Sequence, residues 1–347
     1  MITVQTRNVH LALPKGIDLL SQHGIEEETR NGPAIVAPTP VTTVYEKPCE
    51  RVIFWRERDA NPFFHLFEAI WMMTGSNHVG FPAFFSNNIR NYSDDGETFN
   101  AAYGHRWRQH FKVDQLATVI EALKKDPGCR RQVIGIWDAG HDLGLGSKDL
   151  PCNLAVHFMR REGALDMTVF NRSNDMIWGA YGANAVHFSF LQEFVASAVG
   201  LPVGIYYQIS DNFHAYTSVL DKIKGIADNP TAPNLTLPNC PYTKGTVKPF
   251  PILPQRNNWE RWLGEAEMLV SEGPNVIGYQ ESFFRKVAGP LMKAYMAYKT
   301  EPQPKRYKAA INHIQCCIAT DWRVACEDWV TRRWKKFMKE GSKSCPI

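Results

Sequence analysis

Residues 150–175, LPCNLAVHFMRREGALDMTVFNRSND, hold two runs of strand-forming residues, LAVHFMR from Leu154 and ALDMTVFNR from Ala164, separated at Glu162-Gly163. Apolar and polar residues alternate in the second run, and a short turn containing glycine fits an antiparallel hairpin. Folded so, the second arm returns beside the first and brings Arg172 close to Cys152 of Leu150-Pro151-Cys152-Asn153. A lone buried cysteine is ordinarily a small hydrophobe; one beside a cation has its thiol pKa lowered and becomes a candidate nucleophile.

Working outward, a strand RQVIGIW starts at Arg131 after the stop Asp126-Pro127-Gly128, which ends a helix over Asp114–Lys125. Downstream, Ala183–Val199 reads as a helix and Val203–Ser210 as another strand. Upstream, PFFHLFEAIWMM over Pro62–Met73 reads as a buried helix whose single charge, Glu68, must be paired, hydrated or functional. The first 55 residues read as loops and short strands. The fold class is therefore α+β, a mixed sheet with surrounding helices.

Pro and Asn crowd residues 229–254, including PNLTLPNCP, which marks a linker between a core at 1–228 and an all-helical extension at 255–347. In the last helix Trp322, Cys326, Trp329, Val330 and Phe337 recur at helical spacing and fit a face docked on the body. Its basic residues leave a nucleic-acid-binding helix as the alternative.

The 347 residues are 44% hydrophobic and 21% charged, with 39 basic against 35 acidic side chains. A net charge of +4 is small for this length and argues against a dedicated nucleic-acid binder. With no long apolar span and no signal-peptide pattern, no membrane partner and a cytoplasmic location are expected, in the host if the chain is viral. Eight cysteines without a C-x-x-C pair point to free thiols and no metal. Arg130-Arg131 after a Pro-Gly turn, and more weakly Arg30, are candidate anion readers. His214 and Tyr216, two apart in DNFHAY, could share one ligand hydroxyl.

Taken in order, EAIWMMTGSN from Glu68, YGHRWR from Tyr103, DPGCRR from Asp126, LPCN at Cys152, RSND from Arg172, GAYGAN from Gly179 and FHAY ending at Tyr216 resemble the thymidylate synthase and pyrimidine hydroxymethylase superfamily over about 30–225. The resemblance implies a homodimer with a six-stranded sheet, acting on a pyrimidine nucleoside monophosphate with 5,10-methylenetetrahydrofolate as co-substrate. By motif, Cys152 is the nucleophile. Arg30, Arg172, Ser173, and Arg130 with Arg131 from the partner subunit, hold the phosphate. Asn184 reads the base, and His214 with Tyr216 binds the sugar. Asp175 anchors the folate, against which Trp71 and Ile89 also lie, while Glu68 and Tyr103 manage protons and water. The four arginines would also favour Cys152 as thiolate.

The chain departs from the synthase pattern in ways that bear on the product. Counted back from Tyr103, Ile89 takes the place of a shielding Trp, and the ending GSKSCPI does not resemble the synthase tail. Asn153 stands where synthases have His, and the Gly179-to-Asn184 spacing is one residue longer. An exposed methylene takes up water rather than hydride, so the expected function is a deoxyuridylate 5-hydroxymethylase supplying modified DNA precursors, close to the bacteriophage nucleotide hydroxymethylases. The alternatives are a dCMP 5-hydroxymethylase, a thymidylate synthase or dCMP methylase, and, in a different class, a non-catalytic RNA- or protein-binding relative.

Overall fold

The computed structural model describes residues 1–228, 240–254, 258–273 and 278–343. Eight strands form one mixed sheet: β1 (Ile2–Thr6), β2 (Ile25–Glu27), β3 (Ala34–Val36), β4 (Val41–Tyr45), β5 (Val133–Gly135), β6 (Asn153–Arg161), β7 (Ala164–Asp175) and β8 (Val203–Tyr216). The main path runs β1-β4-β8-β7-β6-β5, with β1 parallel to β4 and β7 parallel to β8. Six strands on this path match the expected number. The short β2 and β3 add two more, because β3 pairs with the far end of β8 through Val36 and His214. β8 runs on past Ser210 because β7 stays paired with it as far as His214, and β3 then pairs with it from His214 to Tyr216.

The hairpin forms as its sequence requires. Glu162 and Gly163 have φ of 49° and 82°, the left-handed pair of a two-residue turn whose twist suits flanking strands. Pairing then runs from Arg161 with Ala164 to Asn153 with Asn171, interrupted by a bulge between Asn153 and Ala155. By contrast, the RQVIGIW strand shrinks to three residues, since Ile136 and Trp137 both turn their N–H groups onto the Leu154 carbonyl.

A helix occupies part of the N-terminal stretch expected to be loops and strands: α1, Val9–His23, capped by Asn8 Oδ1 accepting from the Leu11 N–H. Pro14 and Gly16 disguise it. Pro14 has no N–H for the His10 carbonyl, which instead accepts from Trp55 Nε1 at 2.8 Å. Gly16 lets the helix touch Tyr181, whose ring would lie 2.3 Å from an added Cβ.

Helix α2 (Pro62–Thr74) starts at an Asn61 cap and stops at Gly75, with φ of 76°. It is buried nearly all round; Phe63 and Phe67 alone contribute about 1.5–3 kcal/mol each. Helices α3 (Gln115–Lys125) and α4 (Asn184–Val199) complete the layer over the sheet. The C-terminal region is helical, with α5 (Trp259–Glu272), α6 (Gly289–Thr300), α7 (Lys305–Ile314) and α8 (Thr320–Lys343). Trp322, Cys326, Trp329 and Val330 of α8 are buried on the body.

Of the expected linker, residues 229–239 lie outside the described residues, while 240–254 are pinned down. Cys240, Ile252 and Leu253 are buried, and the Ile252 carbonyl accepts from Trp262 Nε1 at 2.8 Å. Trp262 in turn packs against Phe190 and Phe194 of α4. Among the described residues no helix is long and apolar enough to cross a membrane.

Candidate active site

A cavity of about 1010 Å³ opens between the end of the hairpin, α2 and the start of α4. Arg30, Glu68, Trp71, Ile89, Tyr103, Cys152, Arg172, Ser173, Asp175, Asn184, His214 and Tyr216 all line it. Arg130 and Arg131 do not; both are exposed beside the turn before β5.

Hairpin register brings Arg172 to Cys152. The Arg172 N–H donates to the Cys152 carbonyl at 2.9 Å, and the guanidinium donates to the carbonyls of Pro151 and Leu150 at 2.8 and 3.1 Å. The expected consequence for the thiol is reversed. Burial raises the Cys152 pKa; Arg172 and Arg30 pull it down, Asp149 pushes it up, and the net shift is upward. Desolvation of a thiolate outweighs the two cations here. Asp149 is itself pushed up to about 6, mainly by burial.

Glu68 is paired. Its Oε2 lies 3.1 Å from Nε2 of His187 on α4, close enough for an ion pair, yet Nε2 is not aligned for a hydrogen bond and makes none with the protein. Tyr103 sits beside Cys152 and Asn153, and its phenol pKa is raised, chiefly by burial.

Asn184 Nδ2 donates to Asn174 Oδ1 at 3.0 Å. Asn174 Nδ2 donates to Ser210 Oγ and Gln208 Oε1 at 3.0 and 3.2 Å, and Gln208 Nε2 donates to Tyr206 OH at 2.7 Å. Asn184 Oδ1 accepts in turn from Asn153 Nδ2 at 3.5 Å, so Asn184 is a link in a buried amide chain that runs from Asn153 to Tyr206. Gly179 makes room for it, since an added Cβ would fall 2.5 Å from Asn174 Oδ1. His214 and Tyr216 share one face of β8; Nδ1 of His214 lies 2.7 Å from Asn212 Oδ1, and the Tyr216 OH accepts from Asn31 at 3.1 Å.

At the cavity mouth, Asp175 Oδ1 accepts from the N–H groups of Ile177 and Trp178 at 2.8 and 2.6 Å, while Oδ2 is buried without a hydrogen bond. Burial raises this carboxyl's pKa. Arg58 donates to the Ile177 carbonyl and lies 4.3 Å from the ring of Trp178, which is half exposed over the opening.

Asn174, His187, Arg58 and Trp178 escaped the sequence reading. A signal existed for His187, which follows Asn184 by three residues and shares its helix face. Among the described residues no group of three or more His, Cys, Asp or Glu is placed to hold a metal ion.

The chain is 51% identical to a protein of Pseudomonas phage M6 named deoxyuridylate hydroxymethyltransferase, over 97% of this chain and 96% of that one. A protein of the same name from Bacillus phage SP01 is 40% identical over 51% of this chain and 49% of its own. Among solved structures, thymidylate synthase from T4 phage superposes with a TM-score of 0.51 at 23% identity, covering 62% of this chain and 80% of that one, a likeness of fold. Residues 22–247 match the family described as thymidylate synthase, and to that family this chain belongs.

Proposed function

We propose that the protein is a deoxyuridylate 5-hydroxymethylase that supplies a precursor for modified DNA. The observation that carries this reading is the 51% identity, over nearly the whole of both chains, to the phage protein of that name. Cys152 adds to pyrimidine C6, which makes C5 nucleophilic. The folate co-substrate delivers a one-carbon unit, and water completes the hydroxymethyl group. Arg30, Arg172 and Ser173 receive the phosphate, and His214 with Tyr216 the sugar hydroxyl. Asp175 suits a folate pterin because its buried Oδ2 has an acceptor site to fill, beside the exposed face of Trp178.

The amide chain supports uracil over cytosine. With Nδ2 turned to Asn174, Asn184 Oδ1 accepts only a long 3.5 Å bond from Asn153 Nδ2, which leaves a lone pair for a uracil N3–H, and its second amide hydrogen serves O4. Reading cytosine demands the opposite face, and Asn184 cannot turn over alone without setting two acceptors, or two donors, against each other.

In this reading the active unit is a homodimer working in the host cytoplasm, with Arg130 and Arg131 reaching the partner's phosphate site. Their exposure away from their own cavity supports this, as do Val133 and Phe170 exposed on the neighbouring sheet face. The nucleotide and folate chemistry belongs to 1–228, and helices α5, α6 and α8 of the extension at 255–347 buttress α2. Incubation with dUMP, dCMP, UMP or CMP and methylenetetrahydrofolate in H₂¹⁸O, followed by mass analysis, tests the function. Labelled 5-hydroxymethyl-dUMP with little dihydrofolate is expected. Thymidylate with equimolar dihydrofolate would overturn the proposal.

A further inference from the structure

Nothing in the thymidylate-type reading explains why a histidine should face Glu68. His187 is 4% exposed, lines the cavity one helical turn beyond Asn184, and presents an Nε2 that no protein group satisfies. Burying an imidazole nitrogen without a partner carries a desolvation cost that a bound polar molecule would offset. The misaligned contact with Glu68 leaves both groups turned toward the same cavity space. That arrangement is a seat for a small polar reactant, with a carboxylate and an imidazole on one side and the half-buried aliphatic wall at Ile89 in the same cavity.

We propose that His187 is a catalytic residue of the water-addition step: with Glu68 it holds the attacking water and takes up the proton that water sheds. The step balances. The water oxygen bonds to the exocyclic methylene carbon, and the methylene π pair moves into the ring as an enolate through O4. One water proton passes to the Glu68 and His187 pair. The enolate then re-forms C5=C6, expelling Cys152 as thiolate, and the thiolate recovers a proton from the pair or from solvent. This inference rests on the hydroxymethylase reading and names the group that distinguishes hydration from the earlier steps.

The test uses the full-length His187→Gln protein, whose amide can hold water but cannot accept its proton. Three quantities are followed with dUMP tritiated at C5 and methylenetetrahydrofolate: tritium release, which precedes hydration, 5-hydroxymethyl-dUMP, and the thioether formed when added 2-mercaptoethanol captures the exocyclic methylene. Tritium release within about threefold of wild type, hydroxymethyl product lowered about 100-fold or more and thioether in its place are expected. Parallel loss of tritium release and product would make His187 a structural residue and overturn the proposal, as would an undiminished product. The wild type run alongside separates the two readings: if it forms thymidylate, the hydroxymethylase assignment falls as well. His187→Ser, which removes the ring without adding bulk, carries the same comparison if the Gln protein does not fold.

Discussion

The C-terminal helix grips the rim of the cavity, and cutting that grip should loosen the folate side of the site. Asp59 lines the cavity with a φ of +45°, a conformation that a residue other than glycine adopts at a cost of about 1 kcal/mol or more. Arg333 holds it bidentately at 3.1 and 3.2 Å, Arg332 bonds it from the preceding position, and Asp328 steadies Arg332 at 2.8 Å. Burial alone would raise the Asp59 pKa, but the hydrogen bonds from Arg333 and Arg332 outweigh it and hold the carboxyl below its usual range. The side chains are 26 to 50% exposed, so solvent screening limits each pair to about 0.2–1 kcal/mol.

Removing both arginines should therefore cost roughly 1 kcal/mol in ordering the loop that carries Arg58, which braces Trp178 and the Ile177 carbonyl near Asp175. At about 1.4 kcal/mol per tenfold, the Arg332→Ala/Arg333→Ala protein should show a folate KM raised about fivefold, with kcat and the dUMP KM within about twofold. High salt should reproduce part of this in wild type and little in the variant. Steady-state kinetics on the folded variant decide it. An unchanged folate KM, or an equal rise for nucleotide, would refute the coupling.

Cys152→Ser should abolish product by several orders of magnitude while calorimetric dUMP binding stays within a few-fold, because the phosphate and sugar contacts lie elsewhere; near-normal turnover would remove Cys152 as nucleophile. Arg131→Ala and Cys152→Ser subunits, each inactive, should regain activity when mixed, since one wild-type site re-forms per heterodimer; proven heterodimers without activity would exclude a shared site. A carboxylate at Asn174→Asp can only accept, so it should keep or raise the dUMP-to-dCMP ratio of kcat/KM. Asn174→Ala should cut that ratio about tenfold, the worth of one hydrogen bond, and three equal ratios would take the amide chain out of base choice. Because the Asp149 pKa of about 6 lies above the unfolded value near 3.9, the native carboxyl binds its proton first, and stability gains as pH falls from 7 through 6 toward 4. Chemical denaturation across that window should show a gain of up to roughly 3 kcal/mol that Asp149→Asn lacks, and the same substitution should lower the pH midpoint of Cys152 alkylation by removing the carboxylate that raises the thiol pKa; identical pH slopes would clear Asp149 of both roles.

The hairpin was legible because period-two alternation and a glycine turn are local signals, and the neighbourhood of Cys152 and Arg172 follows from register alone. The ordered motifs led to the cavity wall for the same reason: each is a short local pattern. Helix α1 was hidden by Pro14 and Gly16, whose justification lies in distant Trp55 and Tyr181. His187 was missed because α4 is buried on nearly every side, so periodicity does not say which side chains face a cavity. The sign of the Cys152 shift depends on how completely the thiol is desolvated, a property of packing. The clamp on Asp59 joins residues 274 apart, a separation no local pattern spans.

The two-residue turn at Glu162-Gly163 acts as the zero mark of a ruler. Pairing counted from that turn decides which residue of β7 stands beside Cys152, at the opposite end of the hairpin. Side chains alternate faces with a period of two, so a single residue inserted within either arm and propagated to the open end would set Arg172 and Cys152 on opposite sides of the sheet while leaving every motif intact in the chain. A bulge at Asn153 already takes up one step of this count. Reactivity at Cys152 is thus metered from a surface turn some ten residues away on either arm, and this enzyme should tolerate added length in its loops far better than in the hairpin.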